Sequence, residues 1–235
     1  MFLLFPIVRR LVTLLAVLAI PVVAAELLAR HFIGDAVSSA VASRIGTHAH
    51  VSFGSTPILV QIARGRLDDV SVSAAGATIG GLGPLRLDAS LRDVHFANLT
   101  GLQGAIGSLS VAADAPPTVV RGMLASPSCL EGMTPTMRAR LTGDPRVLVL
   151  PGRIDLLPPR GRGAEVRFVP IPAGSALRFE VSAAQVGGVP VARPPSCERR
   201  LDGLPFGVTL RSAQARTGVL VLGFTGHGAS FSALG

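Results

Sequence analysis

Downstream of Arg66 the apolar residues recur at every second position, not every third or fourth. Val70, Val72 and Ala74 alternate with Asp69, Ser71 and Ser73, and the pattern resumes at Leu85, Leu87, Ala89 and Leu91 after the turn cluster Gly80-Gly81-Leu82-Gly83-Pro84. A strand sends successive side chains to opposite faces, so each segment buries one face and wets the other. Val94 and Phe96 fall one residue out of phase with this series, which predicts a bulge near Arg92. Later alternations at Val147/Val149, Val166/Phe168, Leu177/Phe179/Val181, Phe206/Val208/Leu210 and Val219/Val221 extend the theme. One-sided strands separated by Gly- and Pro-rich turns point to an antiparallel sheet.

Helices are few by the same test. Between Glu26 and Ile45 the residues Leu27, Leu28, Phe32, Ile33, Ala36, Val37, Ala40, Val41 and Ile45 recur at three and four, which predicts one amphipathic helix stopped by Gly46. Thr56 and Pro57 open a second, with Thr56 as cap and Leu59, Ile62 and Ala63 on a shared apolar face before Gly65. A third short helix is expected over 117–125. The breaker-rich stretches 158–163 and 194–200 read as cationic surface loops. The sum is an α+β fold in which Val70, Val72, Leu85, Leu87, Phe179, Val181, Phe206 and Val208 pack against the 26–45 helix.

Ahead of that helix, Arg9 and Arg10 precede an apolar run from Leu11 to Ala25, broken only by Thr13 and Pro21 and ending in Val23-Ala24-Ala25. This is the layout of a signal peptide or of an N-terminal membrane anchor. Residues 1–25 are therefore read as a targeting or anchoring segment, and residues 26–235 as one exported domain, periplasmic or in the cell envelope. An export route makes Cys129 and Cys197, the only cysteines, candidates for a disulfide. Such a bridge would remove roughly 4 kcal/mol of unfolded-chain entropy.

All 22 basic residues are Arg against 14 acids, for a net charge of +8, and the chain has no Lys, Trp or Tyr. Lysine nucleophiles, Schiff bases and phosphate-loop lysines are excluded at once. Without Lys or large aromatics, and with charge dispersed instead of striped, the chain is no nucleic-acid binder. His48-Ala49-His50 is a weak metal signal with no neighbouring carboxylate or Cys, and no metal or cofactor is expected. No G-x-S-x-G occurs, the glycine cluster at 80–83 leads into a strand and not a phosphate-binding helix, and Asp68-Asp69 point to opposite faces of a strand. The chain therefore reads as a non-enzyme. The alternatives are an envelope hydrolase or sugar-modifying enzyme with an unrecognised site, and a scaffold for an envelope glycosyltransferase.

An aliphatic, basic, exported sheet favours a greasy anionic ligand, with acyl chains in an apolar cleft and phosphate on Arg. Leu59 and Ile62 beside Arg64 and Arg66 give the second helix a greasy and a cationic end. With Val70, Val72, Leu85, Leu87, Phe179 and Phe206 they are the candidate lipid-binding residues. The stretch from Val51 to Val94, through Gly54, Pro57, Leu59, Gln61, Gly65, Asp69, Val70 and Asp93-Val94, resembles the LmeA-type phospholipid-binding family of the actinobacterial cell envelope. So does the segment from Leu204 to Gly226, including Gly218-Val219. Ile58 and Leu67 stand where that family commonly has Phe and an aromatic residue. The resemblance implies a non-catalytic, exported or anchored lipid binder with a long curved antiparallel sheet wrapped on a helix, similar to the tubular, BPI-like lipid-binding group. It implies an anionic phospholipid, a membrane surface and an envelope biosynthetic protein as partners, and lipoglycan elongation as the pathway.

Overall fold

The computed structural model describes residues 4–79, 81–98, 103–131, 133–141, 144–159, 163–192, 196–201, 204 and 207–232, with side chains from Val23 onward except at 40, 44, 98, 127, 128, 231 and 232. Five helices and twelve strands follow in the order α1 (Leu4–Ile45), β1 (Ala49–Phe53), α2 (Ile58–Ala63), β2 (Arg66–Ile79), β3 (Leu82–Asn98), β4 (Gln103–Ala115), α3 (Pro117–Leu124), α4 (Pro127–Leu130), α5 (Pro135–Leu141), β5 (Arg146–Leu150), β6 (Arg153–Leu157), β7 (Ala164–Ala173), β8 (Ala176–Val186), β9 (Val189–Pro190), β10 (Cys197–Arg200), β11 (Thr209–Arg216) and β12 (Val219–Ser232). The sheets are wholly antiparallel, as the alternation implies, but there are two and not one. The first has the order β1-β2-β3-β4-β12-β11, the second β10-β8-β7-β6-β5 with β9 beside β8. Sequence alternation marks strands without saying which sheet receives them, because pairing is decided by partners far along the chain.

The sheets meet where β11 lies across the hairpin ends of the second. The N–H of Leu210 donates to Gly174 O in the β7–β8 turn, and Gly152 N, in the β5–β6 turn, donates to Ala215 O, both at 2.9 Å. The outer edge of β11 is thereby covered, which removes an open edge that could recruit another chain. Between the sheets sits a continuous core, with Leu220, Leu222 and Phe224 from the first sheet and Ile154, Leu156, Phe168, Leu177 and Phe179 from the second. Phe168 and Phe179 pack edge to face at 6.3 Å between ring centres, the arrangement their quadrupoles favour.

Helix α1 departs from expectation in three ways. It runs unbroken from Leu4 to Ile45, through the expected boundary at residue 25. It packs mainly on β1, α2 and β2, so Phe179 and Val181 belong to the second sheet's core and not to its face. And the apolar positions divide: Ala29, Ile33, Val41 and Ile45 turn to the core, while Leu27, Leu28 and Phe32 are 63%, 56% and 68% exposed. Gly46 ends it with φ 74°, as the sequence suggests. Among the described residues no helix is long and apolar enough to cross a membrane.

The phase slip near Arg92 is real, but its device is not a bulge. Arg92 pairs Asp69 and Ser108, and Val94 pairs Leu67 and Ile106, with the register unbroken between them. Instead, inward-facing residues are three apart at one level in four neighbouring strands: Leu67 and Val70, Leu91 (partly buried) and Val94, Ile106 and Leu109, Gly226 and Ala229. The row between them runs through Asp68, Asp93, Gly107 and Gly228. Asp93 (φ 54°) and Gly228 (φ 62°) take left-handed backbone there, a conformation Asp tolerates better than most residues. Gly107 has no room for a side chain, since a Cβ would lie 2.8 Å from Asp93 Cβ. Gly107→Ala should therefore cost about 1–3 kcal/mol in chemical denaturation. Gly122→Ala in α3, where a Cβ meets nothing within 4 Å, should stabilise by about 0.4–1 kcal/mol. Equal midpoints for the two variants would contradict the tight row.

Candidate functional site

The amide of Gln61 and the carboxylate of Glu26 decide which face α2 shows to solvent. Gln61 is buried, donating from Nε2 to Thr56 O at 2.8 Å and accepting at Oε1 from Asp68 N at 2.7 Å, which clips the helix to the start of β2. Ile58 is buried beside it, while Leu59 and Val60 are 36% and 40% exposed and Ile62 is half-buried. The expected apolar face is therefore rotated: Ile58 and Gln61 face the core, and Leu59 faces outward. An apolar residue and an amide share the buried side because the amide satisfies two backbone groups there, which makes its burial tolerable.

Thr56 is not the cap of this helix. Pro57 occupies the cap position in extended conformation, with no side-chain hydrogen bond to the first turn. Glu26 of α1 takes that role, accepting from Ile58 N at 2.6 Å through Oε1 and from Leu59 N at 3.0 Å through Oε2. Arg30, one turn along α1, donates from Nε to the same Oε1 at 2.7 Å. Burial pushes the Glu26 carboxyl up, but the Arg30 hydrogen bond, the two backbone N–H groups and the Arg30 charge outweigh it and hold its pKa below the ordinary value. A negative charge at a helix N-terminus is favourable in its own right.

This link seats the N-terminus of α2 on α1, and both helices carry exposed apolar side chains, Leu59 and Val60 on α2 and Leu27, Leu28 and Phe32 on α1. Arg64, at the end of α2, is exposed, and Arg66 is exposed in an ion pair with Asp68 at 3.1 Å. Of the other residues singled out from sequence, Val70, Val72, Leu85, Leu87 and Phe179 are core residues, and Phe206 lies outside the described residues. Leu59 and Ile62, expected on one apolar face, are divided, Leu59 exposed and Ile62 half-buried. Sequence spacing gives no sign that Leu27, Leu28 and Phe32 are exposed, because periodicity alone cannot tell a buried stripe from an exposed one.

A second feature lies at the opposite end of β2, whose 14 residues extend about 45 Å at ~3.3 Å per residue. A cleft of about 290 Å³ opens between the β2–β3 turn (Leu82, Pro84) and α3 (Val119, Gly122, Met123), with Arg199 of β10 at its side. Cys129 on α4 and Cys197 at the start of β10 are bonded, their Cα atoms 4.8 Å apart. Arg199, two residues on, shares the face of Cys197. The stretch expected as a cationic loop is thus partly a strand, Cys197–Arg200, with its arginine turned inward. The missed signal is the alternation Cys197, Glu198, Arg199, in which every second residue turns inward.

Asp155 is buried on β6 with Arg153 Nε at 3.4 Å and Arg167 Nε at 4.0 Å. Burial raises its pKa, and the two guanidinium groups oppose that shift. Among the described residues, no three His, Cys, Asp or Glu side chains gather as metal ligands.

The Glu26 link has a pH signature. Its folded pKa is depressed, so its contribution is complete above the ordinary value of 4.5 and is lost as pH falls through the lower folded value. Glu26→Gln should cost about 1 kcal/mol at pH 7 in thermal melts, and the difference from wild type should shrink as both are acidified below pH 4.5. A gap that stays constant with pH would contradict the link.

The comparisons with known proteins agree with the resemblance read from Val51–Val94. Uncharacterized proteins of Mycobacterium tuberculosis strain H37Rv and of Mycobacterium bovis are 26% identical over 157 residues, covering 66% of this chain and 42% of each relative. The chain thus spans less than half the length of the curated relatives it matches. No solved structure matches it. The model of the LmeA-like phospholipid-binding family matches residues 24–225, nearly the whole of the described fold, and the chain belongs to that family.

Proposed function

We infer that this chain is a non-catalytic phospholipid-binding protein of the bacterial cell envelope, held at the cytoplasmic membrane by its N-terminal helix with the body exported. The observation that carries the reading is the set of exposed large apolar side chains on the docked pair α1 and α2, Leu27, Leu28, Phe32, Leu59 and Val60, in a chain whose family binds phospholipid. Exposed large apolar residues on a folded surface mark an interaction site when they cluster. Here Leu27, Leu28 and Phe32 lie on the same helix as the apolar run Leu11–Ala25, so one helix carries both the targeting or anchoring segment and part of the exposed apolar set. Arg64 and Arg66 beside this surface suit the phosphates of an anionic bilayer, each basic group near such a surface contributing about 1 kcal/mol.

The long first sheet, its phase changing at one row and its β1 edge packed by α1, supports the curved-sheet architecture that the family resemblance implies. Lipid carriage, an anionic preference, a partner among envelope biosynthetic proteins and a part in lipoglycan assembly are the finer elements of this proposal. They rest on the family and on the basic, aliphatic surface.

The absence of Trp supplies a clean probe. In the full chain reconstituted into vesicles containing brominated phosphatidylglycerol, a Leu59→Trp variant should show blue-shifted emission quenched at least twofold. A Leu148→Trp variant on the second sheet, where Leu148 is also exposed, should stay unquenched. Equal quenching at both positions, or at neither, would sink the assignment of this surface.

A further inference from the structure

The cleft between the β2–β3 turn and α3 contains a cation that the described protein groups leave incomplete. Arg199 Nε is shielded from solvent and has no hydrogen-bond acceptor among the described residues. Guanidinium carries five donors in a rigid fork and no acceptor; with Nε shielded, the side chain can offer the cleft only its terminal N–H groups, of which Nη2 lies beside the cleft-lining Gly81. Its position is fixed: β10 pairs with β8, Arg199 facing Leu177, and Cys197 is bonded to Cys129. The guanidinium reaches the β2–β3 turn, where a Cβ on Gly81 would come within 3.9 Å of it. The remaining walls are mostly apolar, from Leu82, Pro84, Val119 and Met123, with Thr118 adding one polar side chain and Gly122 none. Asp155 is the other buried, unsatisfied polar group among the described residues, but two guanidinium groups already flank it.

We propose that this cleft is a second lipid site, recognising the phosphodiester of a phospholipid through Arg199 and the adjoining carbons through Val119, Met123, Leu82 and Pro84. Planar, forked guanidinium suits two oxygens of one phosphate, and an apolar wall beside a single charge is the arrangement of a small-ligand pocket. The proposal rests on the phospholipid-binding reading for the class of ester. It places phosphate recognition at the far end of β2 from the α1–α2 surface.

The test is native mass spectrometry of the full chain released from detergent micelles, titrated with dihexanoyl phosphatidylglycerol, dihexanoylglycerol or inorganic phosphate. Wild type should bind the phosphatidylglycerol at least tenfold more tightly than either other probe. Arg199→Gln should lose at least tenfold in that binding. So should Gly122→Leu, which fills the cleft from a position with open space around it and keeps the charge. Circular dichroism and an intact disulfide confirm the fold of each variant, and Gly122→Leu carries the test if Arg199→Gln fails to fold. Unchanged binding in a folded variant of either kind overturns the site. Inorganic phosphate bound as tightly as the phosphatidylglycerol overturns the lipid assignment in favour of the free anion. No preferential binding of the phosphatidylglycerol by the wild type, with Leu59→Trp quenching intact, would refute this site alone, and the reverse pattern would refute the α1–α2 surface alone.

Discussion

The Glu26 carboxylate accepts from two N–H groups that the Pro57 turn leaves without a local acceptor, and it does so across 32 residues of sequence. Helix α2 is six residues long, too short to stand without help. An exposed ion pair contributes little by itself. Here one carboxylate combines charge at a helix N-terminus, two backbone hydrogen bonds and a guanidinium partner, and these act together on the placement of one helix. With that link in place, Gln61 turns inward to clip β2, and Leu59 and Val60 turn outward. Their exposure is a consequence of how the interior polar groups are satisfied.

The same logic governs the far end. The disulfide holds α4 to β10, β10 places Arg199, and Arg199 reaches the glycine-bearing turn that closes the β2–β3 hairpin. Between the two ends the first sheet keeps its register across the row of Asp68, Asp93, Gly107 and Gly228, the pairing resuming in step on either side of it. Four strands change phase together, so the phase change is a property of the sheet and not of one strand. A single irregular strand would have broken register with its neighbours.

Much of this was legible in the sequence, and what was not is physically explicable. Alternation marked β2, β3, β7, β8 and β12 because one face of each is wet, and the slip between Leu91 and Val94 located the row where the phase changes. Its extent was hidden, since the phase changes in β4 and β12 involve Gly107, Gly226 and Gly228, which carry no apolar side chain to reveal a pattern. Spacing alone could not have found the cap from Glu26, which acts through tertiary structure. The helix 26–45 was right in kind but wrong in packing: Phe32 and Ile33 look equivalent in a three-and-four pattern, yet only Ile33 meets the core. Of the candidate lipid residues, Leu59, Arg64 and Arg66 are exposed, whereas Val70, Val72, Leu85, Leu87 and Phe179 have an apolar character that core packing demands equally. The cleft at Arg199 was missed because a run of Pro, Ser, Glu and Arg reads as loop until its pairing with β8 is known.

The central claim, that the α1–α2 surface is where this protein meets phospholipid, is tested most directly by hydrogen exchange. The full chain would be compared in neutral detergent micelles and in nanodiscs of anionic phospholipid. Backbone amides of residues 23–32 and 58–64 should be protected in the nanodisc, with β5, β6 and β7 exchanging at the same rate in both. Uniform exchange at 23–32 and 58–64 in the two environments, or protection concentrated on β5–β7, would contradict the account.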